Sequence, residues 1–292
     1  MMNSMKNILV YGGTGVQGEP LVSELLNEGL NVRVITRKPA NVKQGESFYG
    51  DLGDISSLKE ANRGIDGVMY ILPLSNYDKM VEYTHNVVNA AKANNVQKII
   101  MNTSVSGVDK KIGNYSLDLK VDAENVLRES GIDYLIFRPT IYIDNFIQPM
   151  HLENINERSI IGYATPSDFK VSWISLKDTS IYMIRGLLNH DLSNGTYNIG
   201  GKESLSGSEI AEIISEEMGK KINYTQVPNE QMKEMLNQFL GKPVGDRVME
   251  FYDWAIKERG NLVYPISEVE RILGHSPISI NSWIKNQNWK RK

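Results

Sequence analysis

Apolar positions along this chain follow two alternating rhythms. Continuous runs at 8–11 and 67–72 suit strands covered on both faces, as in a parallel sheet, and 96–101 supplies another strand. Between them the spacing is helical: Val16, Leu21, Val22, Leu25 and Leu26 precede a left-handed stop at Gly29, and Met80, Val81, Tyr83, Thr84, Val87, Val88, Ala90 and Ala91 recur within 78–94. A strand at 31–36, a short one at 47–49 and a helix at 54–63 fit the same alternation. Strands and helices of these lengths in turn predict an α/β fold on a doubly wound parallel sheet.

The first strand runs into Gly12, Gly15 and Gly18, with Thr14, Val16 and Gln17 between them. Such glycines permit a turn with unusual backbone angles, then a surface free of side chains. A pyrophosphate can rest on the amides at the start of the following helix, where the dipole favours an anion. A glycine-rich turn that binds nothing has the same composition, but the setting of strand, turn and helix favours a dinucleotide.

The second strand ends in Arg37 and Lys38, where an enzyme choosing NAD usually carries an acid for the ribose hydroxyl. Positive charge there suits the extra phosphate of NADP, so NADP(H) is expected over NAD(H); the alternative is two exposed loop charges. Asp51, followed by Leu52, can accept from an adenine amino group or cap the next helix, and Asp54 is expected to be a cap. The strand at 67–72 breaks at Leu72 and Pro73, on the carboxyl edge where ligands bind in such sheets. Asn102, Thr103 and Ser104 follow the strand at 96–101, either as donors to a substrate carbonyl or the nicotinamide ribose, or as turn chemistry.

Composition narrows the chemistry. The 292 residues contain no cysteine, which removes disulfides, thiolate nucleophiles and thiolate metal sites. His85, His151, His190 and His275 lack metal-type spacing and are expected to be packing or surface residues, and no metal is expected. With a net charge of −3 and one dense basic run, Lys290, Arg291 and Lys292, no nucleic-acid footprint is expected. The polar start at 1–7 and the short first apolar run predict neither a secretory signal nor a membrane span, hence a cytoplasmic protein.

The run from Gly12 to Gly18, with Arg37, Gly50, Asp51, Leu52, Asn102, Thr103, Ser104, Lys120 and the stretch 124–139, resembles the NmrA-like branch of the atypical short-chain dehydrogenase/reductase superfamily. The similarity extends to 171–178, like the family's return into the nucleotide-binding domain, and to 197–201, like its late strand. It implies a Rossmann domain at 1–143, completed by about 170–200, and a smaller lobe from 144–169 and 201–292. It also implies that Lys120 holds the nicotinamide ribose and helps to polarise a substrate; the alternative is an exposed lysine paired with Glu124, worth about 0.3–0.5 kcal/mol. Pro139 and Tyr142, after the 124–139 stretch, join the cofactor-binding set, and Lys120 and Ser104 form the catalytic one. One departure bears on mechanism. Many short-chain reductases place a tyrosine four residues before the lysine, but that position is Ser116, and Tyr115 points about 100° away on a helix.

In the remainder, 144–154 is expected to be helical and 160–164 a short strand, their apolar side chains roofing a pocket or filling a core. Helices are expected at 179–188, 229–240 and 246–258, with a strand at 222–227. Capping boxes are expected at Ser206 with Glu209, and at Ser267 with Glu270. The leading expectation is an NADPH-dependent reductase acting on a quinone or other small conjugated carbonyl compound. Alternatives are an NADP(H)-sensing regulator with a protein partner and a sugar-nucleotide epimerase or dehydratase; a homodimer is a further expectation.

Overall fold

The computed structural model describes residues 5–242 and 244–289. The first residues of the polar start, 1–4, and the basic run Lys290, Arg291 and Lys292 lie outside them. The elements run β1 (Asn7–Tyr11), α1 (Gly18–Asn27), β2 (Asn31–Thr36), β3 (Glu46–Tyr49), α2 (Ile55–Ala61), β4 (Gly67–Ile71), α3 (Met80–Ala93), β5 (Lys98–Asn102), α4 (Tyr115–Arg128) and β6 (Asp133–Pro139). After these come α5 (Pro149–Glu153), β7 (Ile160–Tyr163), α6 (Leu176–Leu188), β8 (Gly195–Ile199), α7 (Gly207–Met218), β9 (Asn223–Gln226), α8 (Asn229–Leu240), α9 (Val244–Trp254), α10 (Ser267–Leu273) and α11 (Ile280–Lys285).

Seven parallel strands form one sheet in the order β3-β2-β1-β4-β5-β6-β8, so the winding reverses between β1 and β4. This is a doubly wound Rossmann-like α/β fold. Alternation along the strands divides the core: Ile8 and Val10 face a cluster with Leu21, Leu25, Tyr182 and Leu187, whereas Leu9 and Tyr11 face one with Leu58, Met80, Val87 and Leu127. A third cluster gathers Phe146, Ile161, Trp173, Ile210, Phe251 and Trp283 around the two-stranded parallel pair β7 and β9.

Local chemistry sets most boundaries. Asp54 caps α2 by accepting from the Ser56 amide at 3.0 Å, and Ser206 with Glu209 forms the expected capping box. Ser267 does not: Ile266 precedes the first turn of α10, Ser267 lies inside it, and no side chain caps it. The expected helix at 144–154 is broken into a 3-10 turn at Ile143–Ile147, then α5, then a π turn at Asn154–Arg158. Pro149 explains the break, because it holds Gln148 in an extended conformation at φ −67° and ψ 148°. The helix expected at 246–258 likewise ends in a π turn, Ala255–Arg259, before a left-handed Gly260. A 3-10 turn at Leu74–Lys79 precedes α3.

Candidate active site

Two cavities open along the carboxyl edge of the sheet. The first, of about 380 Å³, begins at the β1–α1 loop and passes the ends of β2, β3 and β4. Gly12, Thr14, Gly15, Val16, Gln17, Arg37, Asp51, Leu52, Leu72, Pro73 and Ser104 line it together with Thr36, Leu74, Asn76 and Tyr83. The second, of about 240 Å³, lies between the sheet and the third cluster. Val16, Gln17, Leu74 and Ser104 line both, so the two spaces meet there.

The glycines have distinct duties. Gly12 turns the chain at φ +82°, which disfavours any side chain. Gly18 permits close packing, since a Cβ there would lie 2.1 Å from the Gly12 carbonyl oxygen; it is absent from the cavity wall. Gly15 faces the first cavity, and its nearest neighbour to a Cβ is that same oxygen at 3.4 Å. The amides of Thr14, Val16 and Gln17 find no acceptor among the described residues. A turn with unused donors at the head of α1 matches what a diphosphate requires.

At the far end, Arg37 is exposed on the cavity wall with no bonded partner among the described residues. Lys38 is exposed beside it but outside the wall. Asp51 accepts from the Gly53 amide at 2.8 Å, a local turn of its own, while its residue still borders the cavity.

A hydrogen-bonded cluster stands at the junction. Asn102 donates to Gln17 at 3.3 Å and to the Tyr142 hydroxyl at 3.2 Å, and its Oδ1 accepts from the Ser104 amide at 2.7 Å. Tyr142 also donates to Gln17 at 3.2 Å. Ser104 takes a left-handed backbone conformation at φ +66°, unusual for a non-glycine residue, and its hydroxyl donates to the Leu72 carbonyl at 3.1 Å. Thr103 turns inward onto the Val105 and Phe137 carbonyls, and Pro139 is buried at the end of β6; neither borders a cavity.

Lys120 lies beneath this junction, 1% exposed, and lines neither cavity. Its ammonium reaches the Val105 carbonyl at 3.4 Å. The exposed pairing with Glu124 does not form, because Arg138 and Arg128 occupy that carboxylate. Burial lowers the Lys120 pKa to about 7, with Glu124 opposing the shift and Arg138 adding to it. No phenol shares its helix face: Ser116 donates to Glu250 at 2.6 Å, and the exposed Tyr115 donates to Asp78 at 2.7 Å beneath the Arg247 guanidinium.

Residues of the second cavity were mostly invisible to sequence patterning. Asn145, His151, Tyr163, Met232, Phe239 and Tyr252 come from separate turns, strands and helices, and their spacing alone matches ordinary core. The apolar edge of α8 offered one signal, as Phe239 and Leu240 remain exposed although they close a helix. Of the residues expected to roof a pocket, Met150, Tyr163 and Ala164 border the cavity whereas Phe146 is core.

Comparison places this geometry among known proteins. An NAD(P)H azoreductase of Xenophilus azovorans is 27% identical over 254 residues, covering 85% of this chain and 87% of the relative. Quinone oxidoreductase 2 of Escherichia coli is 24% identical over 277 residues, covering 92% and 94%, and its structure with NADPH superposes with a TM-score of 0.76. A structure described as a nucleoside-diphosphate-sugar epimerase from Staphylococcus aureus gives a TM-score of 0.78 at 22% identity, covering 96% of this chain and all of that one. The family model described as NmrA-like matches residues 4–269, and the chain therefore belongs to the NmrA-like family.

Proposed function

We propose that the chain is an NADPH-dependent reductase that delivers hydride to a quinone or another small conjugated carbonyl compound. The observation carrying this reading is the junction at Val16, Gln17, Leu74 and Ser104, where a cavity bordered by free amides and Arg37 meets one bordered, among the described residues, by no Asp, Glu, Lys or Arg. The dinucleotide, when bound, supplies the hydride. The chain's part is to bind and orient it and to exclude water. Thr14, Val16 and Gln17 offer amides to the diphosphate, Arg37 faces the ribose phosphate, and the Asn102 cluster fixes Gln17 and Ser104 at the junction. Residues 1–143 with about 170–200 serve as the cofactor domain, and 144–169 with 201–292 serve as the substrate lobe.

Quinones accept hydride without a strong acid beside them, which agrees with the lack of a phenol next to Lys120. That lack, together with the burial of Lys120 away from both cavities, also favours a second reading, an NADP(H) sensor acting through a protein partner or a homodimer. An epimerase needs the tyrosine that Ser116 replaces, and Ser116 is committed to Glu250. Purified protein mixed with NADPH and a panel of quinones separates these readings. Loss of nicotinamide absorbance supports the reductase, whereas saturable binding without turnover on every acceptor supports the sensor.

A further inference from the structure

His151, on α5, is 7% exposed, with its ring edge-on to Phe146 at 6.3 Å and tilted against Tyr163 at 5.7 Å. Neither ring nitrogen has a hydrogen-bond partner among the described residues, although buried polar groups are nearly always satisfied. The nitrogens are not sealed in by protein either, and His151 borders the second cavity. Neighbouring groups are occupied elsewhere: the Tyr163 hydroxyl receives Asn145 Nδ2 at 2.8 Å and shares a 2.8 Å bond with the Tyr252 hydroxyl. Burial drives the His151 pKa down to about 4, so the imidazole is neutral near pH 7 and presents one donor and one acceptor. With no Asp, Glu, Lys or Arg among the described residues on the cavity wall, an ionised ligand would lose its hydration without a counter-charge. His151 borders the second cavity and not the first, so it is not one of the residues, Ser104 and Gln17 among them, that line both.

Resting on the reading of this cavity as the acceptor site, we infer that His151 is a specificity-determining residue. It receives a hydroxyl or carbonyl substituent, remote from the reducible group, on an uncharged aromatic acceptor.

Steady-state kinetics with naphthoquinone and its ring-hydroxylated derivative test this on wild type, His151→Leu and His151→Gln. Comparing ratios between variants cancels the intrinsic reducibility of each acceptor. The preference for the hydroxylated compound is expected to fall about tenfold in His151→Leu, through KM rather than kcat. His151→Gln, which keeps a donor and an acceptor, recovers most of it. An unchanged ratio in His151→Leu, or equal losses on both acceptors, overturns the inference. Titrating the protein saturated with NADP+ with the hydroxylated compound while following the imidazole nitrogen resonances gives a readout independent of turnover and of the leucine variant's folding. A shift of the His151 resonances is expected even if no acceptor is reduced, and an unmoved imidazole beside demonstrable binding contradicts the assignment. Failure of turnover alone counts against the reductase reading.

Discussion

Arg138 grips both carboxylate oxygens of Glu124, donating from Nε at 2.8 Å and from Nη2 at 2.6 Å, with the two side chains 2% and 1% exposed. This buried fork ties β6 to α4 directly under the loop that carries Ser104 and Val105. Paired charges in such a place are balanced, but removing one leaves the other stranded. Arg138→Met is therefore expected to destabilise the protein by about 3–5 kcal/mol in urea unfolding. Asp109, which meets Arg138 at 2.7 Å from an exposed position, contributes far less, and Asp109→Asn is expected to change stability by under about 1 kcal/mol.

With Glu124 held in that fork, the Lys120 amine bonds only the Val105 carbonyl among the described residues, and burial lowers its pKa from 10.5 to about 7. The unfolded chain then holds one more proton than the folded one between these two values. Stability contributed at this site is expected to rise as pH increases from about 7 to about 10.5, and to be lowest below pH 7. Lys120→Met removes the effect, so the difference in unfolding free energy between wild type and variant should vary across that window. A constant difference would show that the amine titrates normally.

The glycines of the β1–α1 loop are expected to fail in different ways. Gly18→Ala forces a Cβ to within 2.1 Å of the Gly12 oxygen, so it lowers the melting temperature and abolishes nucleotide binding together. Gly15→Ala meets that oxygen only at 3.4 Å and places its methyl on the cavity wall. It should retain a near wild-type melting temperature while weakening NADPH binding at least tenfold, as measured by calorimetry.

Arg37 has no partner among the described residues and stands on the cavity wall, so its removal affects the ligand more than the fold. Loss of a charge-assisted hydrogen bond corresponds to about 1.5–3 kcal/mol, or roughly tenfold to a hundredfold in affinity. Arg37→Ala is expected to weaken NADPH by that factor and NADH by less than about twofold. Equal losses would count against a phosphate contact.

Much of the frame was legible because its signals are local. Continuous apolar runs marked β1 and β4, and the glycines after β1 marked the turn that opens the first cavity. Asp54 and Ser206 announced their helices through capping chemistry that depends on neighbours two or three residues away. The same pattern misled at Ser267, where serine and glutamate at the right spacing lie inside the first turn of α10. Lys120 shows the limit more sharply. The glutamate one turn away is taken by Arg138 on β6, and the amine is buried rather than exposed. Most of the second cavity was illegible for the same reason, since Asn145, His151 and Tyr252 meet Tyr163 only through tertiary packing.

Calorimetric titration of the purified chain with NADPH, alongside NADH, tests most directly whether the free amides at the head of α1 hold a dinucleotide. One site per chain, tighter for NADPH than for NADH and accompanied by a raised melting temperature, is the predicted result. Absence of both heat and thermal shift at saturating concentrations of either nucleotide would contradict the account.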